Sequence, residues 1–112
     1  MDINSICDSL RKGTEKLALQ NAAVKNAALV AVCESLRRNK AEIFAANEMD
    51  GKVAREKGTR ESLIDRLSLD DKKMEGIIGG VESIIAQTDP IGEETAGWKT
   101  PNGLLIRQTR VP

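Results

Sequence analysis

The chain has 112 residues, room for one domain, and its 17 Lys+Arg balance 17 Asp+Glu. With 40% apolar and 30% charged residues it is globular in composition, and zero net charge with 2% aromatics excludes a phosphate-backbone or base-stacking nucleic-acid binder. It contains no His, which removes the usual general base and the commonest metal ligand together.

In chain order, Ile3, Ile6, Cys7, Leu10 and Leu17 fall at helical spacing between Asp2 and about Gln20, with Gly13-Thr14 as a weak point open to a kink or early fraying. Asn21 suits an N-cap. The period continues through Val24, Ala28, Leu29, Val32, Leu36, Ile43 and Phe44, which predicts one long helix running to a stop at Lys57-Gly58. Glu34 four before Arg38 and Glu48 four before Lys52 are in the favourable order for pairs on its solvent flank. Thr59 starts a short turn through Leu63, Ile64 and Leu67. Ser68 with Asp71 resembles a capping box for a further helix that places Met74, Ile77, Ile78, Val81, Ile84 and Ile85 on one face. Asp89-Pro90 closes the helical part.

Beyond Pro90 the pattern becomes that of a β-hairpin. Pro101-Asn102-Gly103 fits a three-residue loop with Gly in the left-handed position, followed by Leu104 to Val111 as a strand. A lone two-stranded ribbon is marginal in water, and Val111-Pro112 ends in the run of the second strand, so a truncated chain is expected. The fold class is therefore mainly α, amphipathic helices followed by one β-hairpin, divided as a helical segment 1–89 and a hairpin 90–112.

Candidate chemistry is sparse. Cys7 and Cys33 are the nucleophiles by type, but each lies on an apolar helix face, and both are expected to be small core residues. Two cysteines make neither a disulfide framework nor a zinc cage. Asp70-Asp71 and Glu93-Glu94 are adjacent and diverge, matching a helix N-terminus and a solvated strand edge better than an acid/base dyad. Gly79-Gly80, with no following Lys-Ser/Thr, is read as the close approach of a neighbouring helix and not a phosphate loop. Trp98 either anchors an interface or plugs the gap between hairpin and helices, the second being favoured. There is no Gly-x-Gly-x-x-Gly and no apolar run long enough to span a membrane. No catalytic, cofactor-binding or metal residue is assigned, and a cytoplasmic setting is expected.

Taken together, Lys25-Asn26-Ala27-Ala28-Leu29, Ala45-Ala46-Asn47-Glu48-Met49-Asp50, Leu63-Ile64-Asp65-Arg66-Leu67, Asp89-Pro90-Ile91-Gly92-Glu93, Asn102-Gly103-Leu104 and Arg110-Val111-Pro112 stand in an order and spacing that resemble the N-terminal portion of the gamma-glutamyl phosphate reductase (glutamate-5-semialdehyde dehydrogenase) family. This family lies within the aldehyde dehydrogenase superfamily. The resemblance implies the start of an α/β aldehyde-dehydrogenase-like fold: helices of the dinucleotide-binding domain, then a hairpin of the oligomerisation arm. It implies NADPH-dependent reduction of L-glutamyl 5-phosphate to L-glutamate 5-semialdehyde in proline biosynthesis, through a thioester on a cysteine that neither Cys7 nor Cys33 matches. The 112 residues alone are then expected neither to bind NADPH nor to turn over. Homo-oligomerisation is expected, and self-association through uncovered apolar faces with it. The competing reading is a free-standing helical interaction module that docks through its hairpin edge.

Overall fold

A computed structural model describes residues 2–112. The element order is α1 (Ile3–Ala18), α2 (Ala22–Arg38), α3 (Lys40–Glu56), α4 (Glu61–Leu67), α5 (Asp71–Ile85), β1 (Glu94–Lys99) and β2 (Leu105–Thr109). The chain divides into two units, Asn26–Gln87 and Met1–Lys25 with Thr88–Pro112.

The unit Asn26–Gln87 holds the core. Cys33 from α2 and Met74 and Ile78 from α5 are buried together, with Leu36, Ile43, Phe44 and Val81 packed against them. Ile64 of α4 is also buried. The long helix expected from Asn21 to Lys57 is two helices, broken at Asn39. There the backbone leaves the helical region at φ −97°, ψ 12°. Asn39 Nδ2 donates to the Ser35 carbonyl at 2.9 Å and to Ser35 Oγ at 3.2 Å, a short polar side chain folded back on the preceding turn, while its backbone N–H also reaches the Ser35 carbonyl at 3.0 Å. The expected stop at Lys57-Gly58 is present. Gly58 takes φ 74°, its N–H donates to the Arg55 carbonyl, and the Thr59 N–H reaches back to Ala54 at 3.0 Å, the Schellman pattern.

The capping box expected at Ser68 and Asp71 lies elsewhere. Ser68 Oγ donates to the Ile64 carbonyl at 3.0 Å and so closes α4, while Asp70 caps α5 by accepting from the Lys73 N–H at 2.8 Å. Along α5 Met74 and Ile78 are buried as expected, whereas Ile77 and Ile84 on the same broad face are exposed. Gly79 and Gly80 lie inside the continuous helix, and a Cβ at either would meet nothing within 4 Å. The close helix approach read from that pair is therefore not there.

In the other unit, Asp2 caps α1, accepting from the Asn4 N–H at 3.3 Å. The helix runs unbroken through Gly13-Thr14, where Thr14 Oγ1 donates to the Leu10 carbonyl. No residue of α1 is buried. Asn21 caps α2 as expected, its Oδ1 accepting from the Val24 N–H at 2.9 Å. β1 and β2 pair antiparallel, Trp98 opposite Ile106 and Gly97 opposite Arg107, with an irregularity between Glu94 and Ala96. The turn is the predicted one: Gly103 N–H donates to the Thr100 carbonyl at 2.9 Å, and Gly103 has φ 91°.

Candidate functional site

The chemistry-bearing residues are scattered by this fold. Cys33 is buried, with Sγ 4.0 Å from the Ile78 carbonyl, and has no base beside it. It is the apolar core residue expected. Cys7 corrects the expectation: it is exposed on α1, a helix of which no residue is buried. Trp98 is 52% exposed on β1 and plugs no gap.

The paired carboxylates serve structure. Asp70 caps α5, and Asp71 in its first turn pairs with Lys40 of α3, which also lies 5.8 Å from the Phe44 ring centroid. The Asp71 hydrogen bond, then its charge, hold the Lys40 ammonium above its ordinary range. Glu93 pairs with Arg110 at 3.0 Å and Glu94 with Arg107 at 3.7 Å along the hairpin. Lys52 meets Glu48 at 3.0 Å, as the i,i+4 spacing predicts. Glu34 and Arg38 form no such pair. It is Arg37 that reaches across, donating to Glu82 of α5 at 2.7 Å, and that bond raises its basicity.

One residue shapes the helical unit more than its sequence position suggested. Asn47 on α3 donates through Nδ2 to the Leu67 carbonyl at 2.9 Å and accepts through Oδ1 from the Leu69 N–H at 2.7 Å. It thereby satisfies both backbone groups where the chain passes from α4 to α5. The signal was a short amide among alanines, Ala45-Ala46-Asn47, at a half-buried helical position. Beside it is a shallow cleft lined by Phe44, Glu48, Gly51, Arg55, Ser68 and Leu69. Its polar groups already have partners: Glu48 takes Lys52, Arg55 reaches Glu61 at 3.4 Å, and Ser68 donates to Ile64.

Among the described residues no three His, Cys, Asp or Glu side chains gather as a metal site, and no helix is long and apolar enough to cross a membrane. The glycine pair of α5 does not make a phosphate loop. The Gly79-Gly80 pair that could cradle a pyrophosphate lies within α5, where the backbone amides are engaged in the helix.

The sequence matches no protein-family model. Curated relatives do match. Over 101 residues, covering 90% of this chain and 24% of the relative, it is 45% identical to a gamma-glutamyl phosphate reductase of Halothermothrix orenii. Over 112 residues, the whole of this chain and 27% of the relative, it is 38% identical to that of Psychromonas ingrahamii. The crystal structure of gamma-glutamyl phosphate reductase from Thermotoga maritima superposes with a TM-score of 0.90 at 37% identity, covering 94% of this chain and 25% of that one. The Saccharomyces cerevisiae enzyme gives 0.87 at 28% identity, covering 96% and 28%. The chain thus spans about a quarter of the length of the relatives it matches. Five helices and an antiparallel hairpin are reproduced in that portion of the neighbours. In sequence and in backbone, this chain is homologous along essentially its whole length to the N-terminal quarter of gamma-glutamyl phosphate reductases.

Proposed function

We propose that this chain is the N-terminal part of an oxidoreductase that reduces L-glutamyl 5-phosphate to L-glutamate 5-semialdehyde in proline biosynthesis, with NADPH as reductant. The observation that carries the reading is similarity along most or all of the chain: 38–45% identity over 90–100% of it together with a backbone match at TM-score 0.90. Residues 1–89 then supply the opening helices of the dinucleotide-binding domain and 90–112 the hairpin of an oligomerisation arm. The cofactor, the nucleophile and the substrate contacts belong to the remaining three quarters of the relatives' length, and no residue of this chain is given a catalytic role. The setting is cytoplasmic and the assembly a homo-oligomer. The exposed Trp98, Leu104, Leu105 and Ile106 on the hairpin are the apolar surface that such an assembly would cover.

The test is a chimaera in which this chain replaces the matching segment of the Thermotoga maritima reductase, assayed by phosphate-dependent reduction of NADP+ with glutamate 5-semialdehyde. The expected result is a folded protein with activity within about tenfold of the parent. A chimaera with a native-like unfolding transition and no turnover overturns the reading. For the assembly, sedimentation of this chain at high concentration is expected to show self-association, and a strictly monomeric profile rejects it.

A further inference from the structure

Of the ion pairs in the described residues, Lys25–Asp89 is the one with both partners largely withdrawn from water, at 26% and 22% exposure. Its position is unusual in sequence terms. Lys25 stands at the N-terminal end of α2, where the helix dipole disfavours a cation, so this helix start gains from a carboxylate placed beside it. Asp89 provides one. Its Oδ2 faces Lys25 Nζ, and its Oδ1 accepts from the Ile91 N–H at 3.0 Å, which fixes the turn that follows.

From that turn the geometry is continuous into the hairpin. Glu93 N–H donates to the Pro90 carbonyl at 3.2 Å across Gly92, whose φ is 82°. Gly92 N–H then donates to the Arg110 carbonyl at 2.9 Å, Arg110 N–H to the Glu93 carbonyl at 3.0 Å, and Arg110 Nε meets Glu93 Oε2 at 3.0 Å. The pairing therefore extends past the strand ends to Gly92 and Arg110. Lys25 and Ile91 also line an apolar groove with Thr14, Leu17 and Ala18.

We propose that the Lys25–Asp89 ion pair is the joint that fixes the base of the hairpin to the start of α2, with Asp89 as the positioning residue for the whole ribbon. Breaking the pair frees the ribbon at its root and leaves its turn intact. It does not rest on the proposed function, because the contacts concerned lie within this chain.

Amide hydrogen exchange on this chain tests it, with Lys25→Met, Asp89→Asn and the double variant. Met keeps the aliphatic stem, and Asn keeps an acceptor for the Ile91 N–H. Each single change is expected to raise exchange at the Gly92 and Arg110 amides about fivefold, with the Met74 and Ile78 amides unchanged as the control for folding. The double variant is expected to exchange no faster than either single one. Unchanged hairpin exchange in the single variants overturns the proposal. So does an effect of Asp89→Asn without one of Lys25→Met, or an additive effect of the two.

Discussion

The helical unit Asn26–Gln87 and helix α1 of the other unit are written in the same pattern of apolar residues, yet they end differently. Cys33, Met74 and Ile78 meet across α2 and α5 and are sealed from water, while Ile3, Ile6, Leu10 and Leu17 of α1 stay exposed. Periodicity tells a helix which face to bury but does not supply the surface to bury it against. The same holds for the hairpin, whose pairing is well formed and whose side chains stay exposed. Local structure is complete in both regions, and tertiary structure in one.

The largest test of that contrast is a matched pair of truncations. Ile78→Ala removes a side chain with 0% exposure and is expected to cost about 2–5 kcal/mol in urea unfolding of the helical unit, whereas Leu10→Ala on α1 is expected to stay within about 0.5 kcal/mol. Equal costs would break the distinction. Next comes Asn47→Ala, which strands the Leu67 carbonyl and the Leu69 N–H. A loss of about 1–3 kcal/mol is expected, with faster amide exchange at Leu69 but not at the hairpin. A smaller effect of opposite sign is expected from Gly80→Ala. A Cβ there meets open space inside a helix, so the chain gains about 1 kcal/mol, read as a raised midpoint of thermal unfolding. A loss instead would mean that Gly80 lies against something this structure does not bring to it.

The last and smallest effect belongs to the other unit and to acid. The hydrogen bond from Lys25, then the Ile91 N–H, hold the Asp89 carboxyl below the ordinary 3.8. A depressed folded-state value stabilises the native form above the unfolded value, and that stability is lost as pH falls through the folded one. Acid titration followed by NMR should therefore give a midpoint below 3.8 for Asp89 and a higher one in Lys25→Met. An unmoved midpoint would remove Lys25 as its cause.

What the sequence by itself determined are the features that one or two residues can dictate locally. Asn21 as a cap, Gly58 as a left-handed stop and Pro101-Asn102-Gly103 as a hairpin loop rest on backbone conformations that the residue types prefer in any context. The order of short motifs likewise carried the resemblance to a reductase family, which the relatives and the superposed structures bear out for this quarter of their length. Features decided by competition between partners were not legible. The break at Asn39 goes with a side-chain amide that reaches back to Ser35, and the cap of α5 is Asp70 while Ser68 bonds Ile64. Cys7 and Cys33 sit in similar apolar patterns, and only the packing of α5 on α2 buried one and left the other in water. Asn47 and the Lys25–Asp89 pair join residues 20 to 64 positions apart, beyond the reach of any local rule. Backbone preference acts over a few residues and can be read from them. Burial and long-range hydrogen bonds depend on which surfaces meet, and only the folded chain decides that.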